Sequence, residues 1–462
     1  MMPAWLNELT AAWPGAQVVT EFAERQRLSR DFYWYSPVLK RELEHHAADA
    51  VVLARTPEDV RRIVDFAFAR RVPLTLRGAG TGNYGQCIPA QGGIVLDLAA
   101  LDRILEITDE GVAVCEPAVR LGAIETAARE AGWELRCYPS TVQKASVAGF
   151  CAGGSGGIGS ITWGGLRENG TVNALTILTM EDAPREIRLS GRDIFKVLHA
   201  WGTNGIIMQV ELRLAPRTRW AQAAVAHPDF AAAFDFAETV ARDESLPKRL
   251  VTVFEWPVPS YFTPLQRWVP PGRALGFFEV ADEQLARFEA AARAAGGTVA
   301  FSAPGQQPRR GSQLSDFTWN HTTLWALKAD PTLTYLQCGF SPLRAREQMA
   351  ALKARFGAEI EWHFEFVKSE GVITPGALPI VRFTTEARLN EIIQACGEAG
   401  VSVANPHVNF LEGSGRWRPD DEKLLAKQSF DPRGLLNPGK MRGFAATLER
   451  VGNGAPVSAP AP

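Results

Sequence analysis

The chain has 462 residues, with 49 Lys and Arg against 51 Asp and Glu, a net charge of −2, and 46% hydrophobic against 22% charged residues. This near-neutral balance gives no electrostatic case for nucleic acid or an anionic membrane surface as partner. The absence of any apolar run of roughly 18 residues argues against a membrane span. The length admits on the order of two or three domains, each with its own core.

The N-terminal MMPAWLNELTAAWPGAQ lacks both a basic region and a continuous apolar stretch, so it reads as mature and non-secreted. The first strand is expected at Val51–Ala54. Thr56 then offers an N-cap, Pro57 the first helical position and Asp59 the capping-box partner. Val60, Ile63, Val64, Phe66 and Ala67 give that helix one apolar face, ending near Arg71. Strands follow at Val72–Leu76, Ile94–Leu98, Ile104–Ile107 and Val112–Cys115, with an amphipathic helix at Leu121–Ala131. From about Trp220 longer helical patterns appear, at Phe230–Asp243 and Glu283–Ala295. The Pro-rich Trp256–Pro271 and the polar residues 301–315 read as loops. Six cysteines without a C-x-x-C pair argue against a disulfide framework or zinc knuckle and for buried thiols in a reducing, cytoplasmic setting. The Pro-rich end, from Gly452, cannot bury a core and is expected to be disordered.

Between the second and third strands lies Gly80-Thr81-Gly82-Asn83-Tyr84-Gly85, which satisfies G-x-G-x-x-G. A nicotinamide-binding loop needs a helix directly after its glycines, to set the pyrophosphate on that helix's N-terminus. Here Pro89 and Gly92-Gly93 forbid a helix, and the chain re-enters a strand. No Lys follows the glycines, so a P-loop is excluded as well. What remains is a bend exposing successive backbone N–H groups, which binds anions as a nest or serves only as a long turn. Two further glycine clusters, Ser146–Gly159 and Gly202–Gly205, tip the balance toward an elongated ligand lying against much backbone.

With these residues in view, the sequence resembles the vanillyl-alcohol-oxidase-type (PCMH) flavoproteins, most closely the branch containing D-lactate dehydrogenases and the glycolate oxidase catalytic subunit. Arg77-Gly78-Ala79-Gly80-Thr81-Gly82 is similar to that family's pyrophosphate loop. Pro139-Ser140-Thr141 with Ser146-Val147-Ala148-Gly149 resembles the loop facing the flavin ring, and Gly202–Ile207 the strand entry at the adenosine end. Phe430-Asp431-Pro432-Arg433-Gly434-Leu435-Leu436-Asn437-Pro438-Gly439-Lys440-Met441 is the most specific match. The resemblance implies an α+β fold. It comprises an N-terminal extension (1–45), a two-part FAD-binding domain (46–216), an α/β cap for substrate (217–404) and a segment returning to the flavin (405–445), before the tail (446–462).

It further implies FAD held by Arg77, Gly78, Ala79, Gly80, Thr81, Gly82 and Gln86, by Pro139, Ser140, Thr141, Ser146, Gly149 and Gly153, by Gly205 and Ile207, and by Asn437 and Lys440. Thr81 stands where some relatives carry a histidine bonded covalently to FAD, so non-covalent FAD is expected. Phe150 and Gly154 replace asparagines common in the hydroxy-acid branch.

The chemistry expected is FAD-dependent removal of a hydride from the CH–OH group of a 2-hydroxy acid or alcohol. It needs a base for the hydroxyl proton and a group to hold the substrate. His407, taken with Asn409 on one face of a strand, is one candidate base. His363 is another, on a strand where it faces away from Glu361 and Glu365. His321 belongs to the polar-aromatic cluster Trp319–Trp325, which suits a substrate pocket; each of the three also reads as a plain packed histidine. Arg382 or Lys328 would clamp a carboxylate, or serve only as a surface cation. Metal-dependent relatives carry a second histidine after the His407 position, which is missing here, so no metal site is expected. Electrons would pass to oxygen, a quinone or a carrier protein, and a homo-oligomer is left open. Two alternatives stand beside this: an oxidase of phenolic or aromatic alcohols, suggested by the 13 tryptophans, and an electron-transfer flavin subunit without its own substrate.

Overall fold

The computed structural model describes residues 3–13, 17–168, 170–305, 312–415 and 419–444. The tail expected to be disordered lies outside the described residues. The capping box on Thr56 and Asp59 forms as its spacing predicts, with Pro57 opening the helix Pro57–Arg70 and left-handed Arg71 closing it. This helix buries Val60, Ile63, Val64 and Phe66 against a four-stranded sheet ordered Val18–Val19, Ala50–Leu53, Ile94–Asp97 and Leu74–Arg77. The last three strands are parallel, and the two inner ones read as unbroken apolar runs because both faces are covered.

A second, antiparallel sheet is ordered Ile104–Ile107, Val112–Cys115, Ile206–Pro216, Val172–Leu178 and Glu186–Ser190, with Trp133–Leu135 pairing on the end of its long central strand. Eight strands form a third sheet, ordered Thr298–Ala303, Trp220–His227, Ala274–Ala281, Lys248–Phe254, His363–Ser369, Val372–Ala377, Gln337–Gly339 and Ser402–Ala404. Its core is aromatic: Phe234 from the helix Phe230–Arg242 packs on Phe364 and Phe366. The C-terminal segment returns to the first sheet. Leu74 N donates to Leu435 O and Asn437 N to Leu74 O, both at 2.8 Å, which adds Leu436 beside the strand that feeds the first glycine bend.

Three local expectations change. Residues 405–411 turn instead of forming a strand: Asn405 Oδ1 accepts from His407 N, and Pro406 brings no N–H to a ladder. The second glycine cluster contains a seven-residue helix, Val147–Gly153, because Val147, Ala148, Phe150 and Cys151 have a core to bury into. His363 and Glu365 share one sheet face, as two-residue periodicity demands, and bond to each other rather than facing apart. The six cysteines are buried and none is in a disulfide, and among the described residues no helix is long and apolar enough to cross a membrane.

Candidate active site

The three glycine bends converge. Together with the cap sheet they enclose a cavity of about 900 Å³, near the upper end for small-molecule and cofactor sites. The strand Leu74–Arg77 delivers the first bend, and the strand Ile206–Pro216 starts from the third. Every expected cofactor position lines this cavity except Asn437 and Lys440. The bends touch closely where glycine is required. A Cβ at Gly78 would lie 2.3 Å from Ser146 Oγ, and one at Gly157 would lie 1.9 Å from Tyr138 O. At Gly80 (φ +63°) and Gly82 the obstructions are the chain's own Arg77 guanidinium and Gln86 amide.

Arg77 is held in place by Arg30 O, which accepts from Nη1 at 2.6 Å, and by Asp97 at 3.7 Å. Asn437 sits behind the bends in a left-handed conformation (φ +41°), its Nδ2 donating to Gln86 O and Trp201 O at 2.7 Å each. One side chain therefore ties the first bend to the third. Lys440 is fully buried and its Nζ has no hydrogen-bond partner among the described residues, like Asp31 Oδ2 on the cavity wall. Burial lowers the Lys440 pKa and raises that of Asp31, while each opposes the other's shift by attraction. A glycine-lined cradle with unpaired buried polar groups beside it fits a large, polar, phosphate-bearing cofactor.

The cap supplies the opposite wall. Trp319, Asn320, His321, Leu324, Gln337, Cys338 and Glu365 line it, with Phe32, Tyr35 and Tyr84 from the other side. Trp319 holds a positive φ of 54° while its N–H donates to Glu365 Oε1 at 2.7 Å. Nδ1 of His321 donates to Asp316 O at 2.9 Å, since a carbonyl only accepts. Nε2 is left as the lone-pair nitrogen, and burial lowers this histidine's pKa.

The other candidates lie elsewhere. His363 is fully buried behind Glu365, its ring stacked on Phe254. His407 is buried between Ser36 Oγ (2.8 Å) and Tyr335 O (2.9 Å), fastening the N-terminal extension to the cap. With Asn409 it borders a separate small cavity of about 240 Å³. Arg382 is half-exposed and paired with Asp330, and Lys328 lies over Trp325; neither lines the large cavity.

Sequence reasoning missed Asp31, Phe32, Tyr84, Gln337 and Glu365 as lining residues. The acid pattern around Glu365 was visible, but which face met the cavity depended on a sheet assembled from distant segments. His199, which the sequence did not single out, also lines the cavity; its Nδ1 donates to Gly154 O, and burial pushes its pKa down to about 3.

Residues 48–182 match the family model described as FAD binding domain. Similar curated proteins include the D-lactate dehydrogenase of Archaeoglobus fulgidus, 29% identical over 37% of this chain and 39% of that protein. Glycolate oxidase subunit GlcD of Bacillus subtilis is 27% identical over 37% of each. The D-2-hydroxyglutarate dehydrogenase of Xanthomonas citri pv. viticola is 29% identical over 45% of this chain and 43% of that protein. These matches thus span about two fifths of each relative's length. Among solved structures, alkyldihydroxyacetonephosphate synthase has the same fold, with a TM-score of 0.72 at 15% identity over 95% of this chain and 86% of that one. The expected PCMH-type fold, and FAD as the cofactor, are therefore established.

Proposed function

Since residues 48–182 form an FAD-binding domain, we propose that this chain is an FAD-dependent oxidoreductase that oxidises the CH–OH group of a small alcohol or 2-hydroxy acid. The observation that carries this is one cavity lined both by the glycine bends and by His321, whose Nε2 makes no hydrogen bond among the described residues. FAD bound on the bends supplies a hydride acceptor at its isoalloxazine ring.

The chain's own residues supply the rest. Arg77, Ser146 and the backbone of residues 78–82 would hold the diphosphate, Pro139–Thr141 with Gly149 and Gly153 would back the ring, and Gly205 and Ile207 would lie at the adenosine end. Asn437 and Lys440 act from behind, the first by fixing two bends and the second by lending charge. His321 Nε2 takes the hydroxyl proton, its ring held by Asp316 O. FAD is held without a covalent bond: Thr81 occupies the loop, and Cys137 lies off the cavity wall with its thiol pushed by burial up to about 12. Electrons leave to oxygen, a quinone or a carrier protein. The aromatic lining of Phe32, Tyr35, Tyr84 and Trp319 favours a substrate that carries a ring.

Anaerobic mixing of the holoprotein with aliphatic and aromatic alcohols and 2-hydroxy acids tests this reading. At least one class is expected to bleach the flavin. The His321→Ala variant should then reduce about 100- to 10,000-fold more slowly with FAD retained. No bleaching by any compound, or equal rates in the variant, would remove the assignment.

A further inference from the structure

Glu365 is one of the acids that line the cavity, and it stands in the wall it shares with Trp319 and Asn320. Its side chain is buried, yet it belongs to the cavity wall. Oε1 is already engaged twice, by Trp319 N at 2.7 Å and by His363 Nε2 at 2.9 Å. Oε2 makes no hydrogen bond among the described residues. The imidazole proton sits on Nε2, because that nitrogen has acceptors within reach while Nδ1 is buried without any partner. His363, pinned on Phe254, is thus a positioning residue that fixes the carboxylate from behind.

No arginine or lysine pairs with Glu365 among the described residues; its only ion-pair neighbour is His363. Four basic side chains line the cavity: Arg77, Arg167, Arg192 and Lys368. Arg77 is tied to Arg30 O and Asp97. Arg167 is drawn to Asp420, and Arg192 leaves from the turn Gly191–Lys196, outside the cap. Lys368 lies roughly 10 Å beyond Glu365 at the hairpin end of the same strand, where it repels Lys248 on the neighbouring strand. Arg382 and Lys328 are outside the cavity altogether. Asn320, which follows Trp319 in the same wall, has a buried Oδ1 that is a second acceptor without a partner among the described residues.

We propose that this end of the cavity selects substrates bearing a second hydrogen-bond donor, a hydroxyl or an ammonium, next to the oxidised carbinol, and that it excludes 2-hydroxy acids. The proposal rests on the CH–OH reading above and narrows it. A substrate carboxylate would face Glu365 with no arginine or lysine paired to that acid, whereas a donor satisfies the open Oε2 and the Asn320 carbonyl.

Three compounds on one aromatic scaffold test it: 1-phenylethane-1,2-diol, 2-amino-1-phenylethanol and mandelate. Binding is read as perturbation of the flavin spectrum, in holoprotein whose FAD content is measured. The diol or the amino alcohol should bind at least about tenfold more tightly than mandelate, a difference of about 1.4 kcal/mol; which of the two leads identifies the donor. Glu365→Gln should reduce that ratio to within about threefold. His363→Phe, which keeps the stacking and removes the hydrogen bond, should shift it the same way, an effect that mere loss of stability would not produce. Mandelate binding as tightly as the others, no binding by any of the three, or an unchanged ratio in Glu365→Gln overturns the proposal. Tight, selective binding without flavin bleaching would instead count against the oxidoreductase reading while leaving the selectivity intact.

Discussion

At the residue scale, two histidines differ in whether a ring nitrogen is still open. His321 has a main-chain carbonyl on one nitrogen and the cavity for its ring. His407 has both nitrogens satisfied away from it. Sequence reasoning put His407 ahead because it precedes the C-terminal return to the flavin, and gave His321 only as part of an aromatic cluster; only tertiary contacts reveal which ring is already used up. Burial holds the His407 pKa at about 4, against an ordinary value of 6.5. Between those values the unfolded chain takes up a proton that the folded chain refuses. Stability from this group is therefore complete above pH 6.5 and falls as pH drops toward 4. His199 acts in the same direction, whereas Asp31, whose pKa is raised, partly offsets it below its folded value. Urea midpoints at pH 7.5 and 4.5 should differ less in His407→Gln than in the unmodified protein, by up to about 3 kcal/mol. Parallel pH slopes would show that His407 does not set the acid limit.

At the element scale, what was legible followed local rules. The helix after Thr56 was readable because its cap, proline and apolar stripe fall within fourteen residues. The dinucleotide fingerprint was correctly rejected on the same local grounds, since Pro89 and the glycine pair permit only turns before the strand Ile94–Asp97. The supposed strand around His407 failed because a side-chain turn on Asn405 outcompeted a weak alternation. Asn437 shows the limit most clearly. Its motif was recognisable, but its role, clamping the carbonyls of Gln86 and Trp201, joins segments hundreds of positions apart. Replacing it with Ala leaves both buried acceptors unpaired, which should cost about 2–4 kcal/mol. A lowered thermal midpoint together with weaker FAD affinity is the expected outcome. A lower midpoint with unchanged FAD affinity would separate the clamp from the cofactor site.

At the scale of the whole molecule, the cavity exists because three sheets and a returning C-terminal segment meet around backbone left bare by glycine. No one segment owns it: the N-terminal extension gives Asp31, Phe32 and Tyr35, the bends give the cradle, and the cap gives Trp319, His321 and Glu365. Cofactor binding should therefore report on global stability. FAD in about 100-fold excess over its dissociation constant should stabilise the fold by about 2.7 kcal/mol over the apoprotein. Equal unfolding midpoints with and without FAD would argue that the cavity is not its seat. The most direct test is fluorescence titration of the apoprotein with FAD, comparing the unmodified chain with Gly78→Val, whose side chain collides with Ser146 across the first two bends. Saturation at one FAD per chain in the former and loss of saturable binding in the latter is predicted. Full, unweakened uptake by Gly78→Val would contradict the account.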